Sequence, residues 1–189
     1  MWGYVLIAFI TVQRLSELWL SHQNALYLVR HGAVRVTKDG MTGLATLHST
    51  FLLAALAEYT LTGAYVQPLW ITPLIALIAA QALRYWSIGT LGRRWNIHVY
   101  VLPGAEPTCR GPYRFLRHPN YLAVAIEMIC LPLCLHAYIT AFVFTLLNTI
   151  LVAQRIAVEE EALRALTPYD KSMHAVFRGV LSLPLRKRP

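Results

Sequence analysis

The segment GPYRFLRHPNY at residues 111–121 combines basic and aromatic side chains and leads directly into an apolar stretch. Proline has no amide hydrogen and fits the first turn of a helix, while it disfavours helical backbone in the residue before it. The sequence therefore predicts a helix that begins at Pro119. A helix N-terminus carries partial positive charge and amide donors, and Arg117 and His118 stand beside this one. Such a corner is suited to a carboxylate or phosphate group.

The composition is that of a membrane protein. Of the 189 residues, 57% are hydrophobic and 14% are charged, and the mean hydropathy is +0.48, values that do not suit a water-soluble surface. A membrane-spanning helix needs about 20 mostly apolar residues. The candidate segments are residues 2–20, 44–66, 70–91, 122–135 and 137–153.

The last two segments come from one apolar stretch, residues 122–153, which is too long for a single pass. Pro132 and His136 interrupt it, which predicts a tight helical hairpin. The predicted fold is therefore all-α: a polytopic integral membrane protein with about five transmembrane helices, of which the last two form the hairpin. We expect one domain over residues 1–189.

The distribution of basic residues predicts an orientation, because short cytoplasmic loops are rich in Lys and Arg. With the N-terminus outside and the C-terminus cytoplasmic, all 17 basic residues except Arg14 fall on the cytoplasmic side. The net charge of +8 then reflects orientation and anionic lipid head groups, so neither nucleic acid nor a protein partner is needed to explain it. The cations assigned to this side include Arg84, Arg93, Arg94, Arg110, Arg114 and Arg117, and after the last segment Arg155, Arg164, Lys171, Arg178, Arg186, Lys187 and Arg188.

Two further charged groups are open to more than one explanation. Arg14 and Glu17 lie within the first segment, where intramembrane charges are functional candidates but serve equally well as packing contacts. In the stretch RIAVEEEAL at residues 155–163, Arg155 and Glu159 are four residues apart and share a helix face, so an ion pair on a solvated helix is the simple alternative to a functional role. For Arg93, Arg94 and Trp95 we favour anchoring at the membrane interface.

The order of these features resembles the isoprenylcysteine carboxyl methyltransferase family. That family has a Gly-x-Tyr approach, an Arg-His-Pro-x-Tyr corner, a helical hairpin, and an Arg-x-x-x-Glu-Glu-x-x-Leu helix followed by a tyrosine. Residues 111–113, 117–121 and 155–163 supply the three motifs, with Tyr169 as the later tyrosine, although Leu166 to Tyr169 replaces the family's usual Phe-Gly-x-x-Tyr. The resemblance covers residues 84–184, the expected cofactor-binding and catalytic region.

The resemblance implies S-adenosylmethionine as cofactor, S-adenosylhomocysteine as its product, and a cytoplasmic site that methylates a carboxylate or acidic hydroxyl of a lipidic acceptor. The cofactor carboxylate is expected at His118 and the amides after Pro119, its ammonium or ribose at one of two glutamates, and its adenine beside Tyr121. Arg155 is expected to orient the acceptor anion, with Arg117 as the second candidate. The expected cofactor-binding residues are His118, Pro119, Asn120, Tyr121, Leu122, Glu159, Glu160 and Tyr169, and the expected catalytic residues are Arg155, Arg117 and Glu159.

The N-terminal stretches QRLSEL and SHQN, at residues 13–18 and 21–24, resemble a bacterial branch of the family whose members methylate alkylpyrones. This resemblance implies the inner membrane of a bacterium and leaves prenylcysteine-like and alkylpyrone-like acceptors both open.

Other classes of function were compared with this one. No Gly-x-Gly-x-x-Gly follows a strand, which excludes a soluble Rossmann-type methyltransferase. The seven histidines show no His-x-x-x-His spacing and there is no Cys-x-x-Cys pair, so no metal site is expected. An NADPH-dependent enzyme similar to sterol reductases and a non-catalytic membrane adaptor remain as alternatives.

Overall fold

The computed structural model describes residues 1–63 and 70–170, and these residues are mostly helical. Two 3-10 turns, Gly92–Arg94 and Gly111–Arg114, lie in the connection between the third and fourth helices. The all-α prediction is confirmed, with one short antiparallel ribbon as an addition. The helices are α1 (Trp2–Arg30), α2 (Met41–Leu61), α3 (Ile71–Leu91), α4 (Pro119–Cys134) and α5 (Tyr138–Leu166), and the strands are β1 (Val34–Arg35) and β2 (Tyr100–Val101).

Four of the described helices, α1, α2, α3 and α5, are long and apolar enough to cross a membrane. The fifth, α4, has 16 residues and is about 24 Å long, less than the roughly 30 Å of a bilayer's hydrocarbon core. The predicted end of the second segment, at residues 64–66, lies outside the described residues. So do Lys171 and the basic residues after it.

The predicted tight hairpin of α4 and α5 is present, with its turn at residues 135–137. Pro132 lies inside α4 and does not end it. The chain reverses at His136, whose backbone has a positive φ of 61°. The amide of Ala137 donates to the carbonyl oxygen of Pro132 at 2.9 Å, which closes the turn.

Glu58 of α2 fixes the start of α5. Its carboxylate accepts hydrogen bonds from the amides of Ile139 at 3.0 Å and Thr140 at 2.8 Å, and from the Thr140 hydroxyl at 2.7 Å. These are amides that a helix N-terminus otherwise leaves unpaired, and a carboxylate there also complements the helix dipole. The hairpin is thereby attached to α2 at the end of the bundle away from the Pro119 corner.

Helix α1 extends to Arg30, well beyond the predicted end at residue 20. Its additional turns hold the loop after α3. The side-chain amide of Asn96 donates to the backbone carbonyl oxygen of Ser21 at 2.7 Å, and the side-chain amide of Asn24 donates to the backbone carbonyl oxygen of Trp95 at 2.7 Å. The polar residues at 21–24 therefore form a binding face for a loop instead of ending the helix.

A buried group of four charged side chains connects α1, α3 and α4. Arg84 donates to Glu127 at 2.7 Å and to Glu17 at 3.3 Å, and Arg14 pairs with Glu17 at 2.7 Å and also with Glu127. Arg84 and Glu127 are each 1% exposed and Glu17 is 7% exposed. We call these four residues the ionic quartet. Arg84 was predicted as a cytoplasmic flanking cation, and that placement is wrong, because its side chain turns into the bundle to meet the two carboxylates.

The burial of these ion pairs leads to a prediction about stability. Glu127→Ala leaves two buried guanidinium groups short of a partner, so we expect it to lower the free energy of unfolding by about 3 to 5 kcal/mol, the range seen when one partner of a buried pair is removed. Denaturant titration of the purified protein in neutral detergent measures this change. Glu161→Ala, at an exposed position of α5, is the matched control and should change stability by less than about 0.5 kcal/mol. Equal effects of the two substitutions would contradict a stabilising role for the quartet.

Candidate active site

A cavity of about 390 Å³ runs through the bundle, with walls from all five helices and the loops that follow α3. Its size lies in the range of small-molecule sites. One end, which we call the corner end, is lined by Arg117, His118 and Tyr169. The other end, which we call the inner end, is lined by Arg14 and Arg84 of the ionic quartet.

The predicted helix start at Pro119 is confirmed, with His118 as the residue before the first helical position. Two of the amides after it, which the sequence suggested as donors to an anion, already have a backbone acceptor. Those of Tyr121 and Leu122 both donate to the carbonyl oxygen of His118, at 3.1 Å and 3.2 Å. Side chains therefore present most of the polar groups at this corner, and neither Pro119 nor Leu122 lines the cavity.

Glu160 gathers the basic side chains of the corner end. Its carboxylate oxygen Oε1 lies 3.2 Å from His118 Nε2, 3.4 Å from an Arg117 nitrogen and 3.5 Å from the Tyr169 hydroxyl, and Arg164 donates to Oε2 at 2.5 Å. Glu160 is 4% exposed and does not line the cavity. It therefore lies behind these groups as seen from the cavity. The charges of the cluster balance, because Arg164 also pairs with Asp170 at 3.2 Å, and of these four charged side chains only Arg117 lines the cavity.

Glu159, the neighbouring residue, lines the cavity. It accepts a hydrogen bond from the Tyr121 hydroxyl, which in turn accepts one from Arg155 Nε at 2.8 Å. The other two nitrogens of Arg155 donate to the backbone carbonyl oxygens of Asp39, at 2.9 Å, and of Ile97. Arg155 thus connects the glutamate side of the cavity to two loops at once.

Asp39 is a residue of this network that the sequence analysis missed. One carboxylate oxygen accepts from the amide of Met41 at 3.0 Å, and the other lies 2.9 Å from His98 Nδ1 and 3.2 Å from the amide of Val99. Burial alone would raise the pKa of Asp39, but these hydrogen bonds, together with the charge of Arg155, outweigh it and hold the pKa below its usual value. An Asp-Gly pair just before an apolar segment is a helix-start signal that could have identified it.

The walls of the corner end are aromatic. Trp95 is 4% exposed and Tyr113 is 8% exposed, so the prediction that Trp95 anchors the protein at the membrane surface is wrong. It faces the cavity instead, because α1 holds its backbone carbonyl. Gly111 brings Tyr113 close to α3: its φ is +56°, and a side-chain carbon there would lie 2.4 Å from the Thr90 hydroxyl oxygen.

The structure brings together most of the predicted site residues. Two polar atoms at the corner end, Arg117 Nε and Asn120 Oδ1, are buried without a hydrogen-bond partner in the described part of the chain. Of the predicted residues, Arg117, His118, Asn120, Tyr121, Arg155, Glu159 and Tyr169 line the cavity, while Pro119, Leu122 and Glu160 do not. No sequence pattern indicates that Arg84 and Glu127 lie near this cavity, since they belong to apolar segments far apart in the chain.

Comparisons with known proteins find one matching family and related bacterial proteins. The isoprenylcysteine carboxyl methyltransferase family matches residues 72–165. An uncharacterized protein, YpbQ, of Bacillus subtilis (strain 168) is 33% identical over 161 residues, which cover 85% of this chain and 96% of the relative. An uncharacterized protein of Haemophilus influenzae is 30% identical over 165 residues, covering 87% and 96%. No solved structure matches the chain. With a matching family, a shared order of motifs and a polytopic helical fold, the chain belongs to the isoprenylcysteine carboxyl methyltransferase family.

Proposed function

We propose that this protein transfers a methyl group from S-adenosylmethionine to an ionised oxygen of a lipidic acceptor at the cytoplasmic face of a bacterial inner membrane. Family membership supports a membrane methyltransferase. The observation that carries the finer proposal is a single cavity that is lined by the cationic Arg117, by His118 and by the anionic Glu159. S-adenosylmethionine carries both an anionic and a cationic end, so it needs both kinds of partner.

The corner end fits this cofactor on its own chemistry. Arg117 Nε is a buried donor without a partner and Asn120 Oδ1 is a buried acceptor without one, and buried polar atoms of this kind are costly unless a ligand or water satisfies them. We assign the cofactor carboxylate to Arg117 and His118. Because Glu159 lines the cavity and Glu160 does not, we assign the ammonium or ribose to Glu159.

The residues of the site have no proton to remove from an acceptor that is already ionised. S-adenosylmethionine supplies a methyl group on a sulfonium, and as the acceptor oxygen forms the new C–O bond the electron pair of the broken S–C bond stays on sulfur. Burial, followed by the negative charge of Glu160, raises the pKa of Tyr169, so its hydroxyl stays protonated and acts as a donor. The aromatic walls exclude water, which favours reaction between oppositely charged groups.

Arg155 has contacts that support a positioning role. Its nitrogens are engaged with Tyr121 and with the carbonyl oxygens of Asp39 and Ile97, so we propose that it fixes the wall on which Glu159 depends. The sequence-based expectation that Arg155 aligns the acceptor stays a prediction, and an experiment distinguishes the two roles.

The acceptor chain has a route from the bilayer between α1 and α2. Leu18 of α1, which is 48% exposed, and Ala45 and Ser49 of α2, which are also exposed, line the cavity as well as the outer surface. We propose the seam between α1 and α2 as this route, because side chains there belong to both surfaces.

Cofactor binding provides the first test. His118→Ala should weaken binding of S-adenosylhomocysteine by about 1 to 3 kcal/mol, the usual cost of losing a hydrogen bond to a charged group. Isothermal titration calorimetry in neutral detergent measures this. His31→Ala, at an exposed position near the end of α1, is the control and should bind as the parent protein does. Absence of any binding by the parent protein at millimolar ligand would rule out the methyltransferase proposal.

The role of Arg155 is tested by comparing affinity with turnover. If Arg155 positions Tyr121 and Glu159, Arg155→Ala should weaken S-adenosylhomocysteine binding about tenfold, and Arg155→Lys should restore it only in part, since an ammonium cannot make the three directed contacts of a guanidinium. Gln154→Ala, at the exposed neighbouring position, serves as control. Unchanged cofactor affinity with reduced turnover would instead support alignment of the acceptor.

The lateral route predicts how the rate depends on acceptor length. In a series of N-acetyl-S-alkyl-cysteines, each added methylene should lower the apparent KM by at most about fourfold, the equivalent of about 0.8 kcal/mol, until the seam is filled, because each CH₂ leaves water. Transfer of a labelled methyl group measures this. Ala45→Trp, which fills the seam, should remove the dependence on length. Short acceptors that react as efficiently as long ones in the parent protein would count against the route.

A further inference from the structure

We infer that the inner end of the cavity is a binding site for an ionised oxygen-acid head group, such as a carboxylate or enolate, carried on an alkyl chain. The residues assigned to it are Arg14, Arg84 and His48, none of which belongs to the predicted cofactor site. Identifying this ligand as the methyl acceptor rests on the function proposed above, whereas the binding site itself does not.

The ionic quartet presents its two charges unequally to the cavity. Both arginines and His48 line the cavity, but only one of the two carboxylates, Glu17, does so. The other, Glu127, is 1% exposed and is turned toward the two guanidinium groups. A quartet that is neutral as a whole therefore offers mainly cationic groups to a ligand, which favours an anion.

An unpaired hydrogen-bond donor also favours an anionic ligand. Arg84 is 1% exposed, and its Nε has no hydrogen-bond partner among the described residues. A contact that only joined the helices would need no such donor, and a buried unpaired donor is unfavourable. The side chain of Arg14 keeps 19% of its surface exposed, against 2% for Glu127. The most accessible side chain of the quartet is thus an arginine, and the planar donors of a guanidinium group suit two-oxygen anions.

The position of the site explains how an amphiphile would lie in it. Leu18 is one helical turn beyond Arg14 on α1, and Ala45 and Ser49 flank His48 on α2. These are the residues of the lipid-facing seam. A head group at Arg14 therefore has its chain directed through the seam into lipid. The corner end lies about 13 Å away along α4, counted from His118 to Glu127, so both ligands can share the cavity.

A cationic head group fits poorly, because the guanidinium groups of Arg14 and Arg84 line this end of the cavity against the single carboxylate of Glu17. A neutral head group would accept a weaker hydrogen bond from Arg84 Nε than an anion would. The inference is therefore specific for charge and can be tested without knowing the natural acceptor.

The test compares octanoate with octanamide, which have the same chain and differ in head-group charge. Equilibrium dialysis of labelled ligand against the full-length protein in neutral detergent with saturating S-adenosylhomocysteine, corrected for protein-free micelles, measures binding. We expect octanoate to bind at least tenfold more tightly than octanamide. Arg14→Gln should reduce this preference to within twofold. Arg30→Gln, an exposed cation at the end of the same helix, should leave it unchanged.

His48→Gln keeps every ion pair of the quartet intact and should reduce the preference about threefold, so the inference stays testable if Arg14→Gln does not fold. Calorimetry with S-adenosylhomocysteine should give the same affinity within twofold for all folded variants. Equal binding of octanoate and octanamide by the parent protein would overturn the inference, as would a preference that survives both substitutions. Failure of the parent protein to bind S-adenosylhomocysteine would instead overturn the proposed function, while dialysis repeated without it still reports on the anion site.

Discussion

The structure depends on the pairing of four charged side chains inside a largely apolar bundle. Arg14, Glu17, Arg84 and Glu127 cannot be exposed to hydrocarbon without a large cost, so each must find its partners within the protein. Their pairing requires α1, α3 and α4 to meet at the same height in the bundle, each with a fixed rotation about its own axis. A shift of any helix by one residue would separate a charge from its partner. Apolar contacts alone would permit many such shifts, since lipid competes with them.

A second network of hydrogen bonds and ion pairs holds the corner end of the cavity. In this network the adjacent residues Glu159 and Glu160 have different roles. Residues next to each other on a helix point about 100° apart, so Glu159 and Glu160 have different surroundings. Glu160 faces the basic residues of the corner and keeps them in place, while Glu159 faces the cavity through its bond with Tyr121. Arg155, one turn earlier on the same helix, attaches this arrangement to the loops at residues 39 and 97. The same helix thus supplies a cavity-facing carboxylate and the support for it.

The sequence predicted those features that arise from neighbouring residues. Pro119 marks the start of α4 by its own backbone chemistry, and the hairpin follows from a long apolar stretch with an interruption. Features that depend on distant pairs were not accessible. Arg84 has the sequence surroundings of a flanking cation and Glu127 those of an isolated charge in an apolar segment, and only the three-dimensional meeting of residues 43 positions apart explains both. The end of α1 was misplaced for a similar reason, because Ser21 and Asn24 bind a loop more than 70 residues later.

The division of charge along the cavity also bears on how a product would leave. An acceptor oxygen that enters as an anion becomes uncharged once it carries a methyl group, so its attraction to Arg14 and Arg84 falls sharply while the attraction of its alkyl chain to lipid is unchanged. The guanidinium groups keep Glu17 and Glu127 as partners throughout, which means that loss of the ligand anion leaves no isolated buried charge behind. On the proposed function, a quartet that is neutral as a whole would therefore take up an anion from the membrane and return a neutral lipid to it, because its own ion pairs persist in both states.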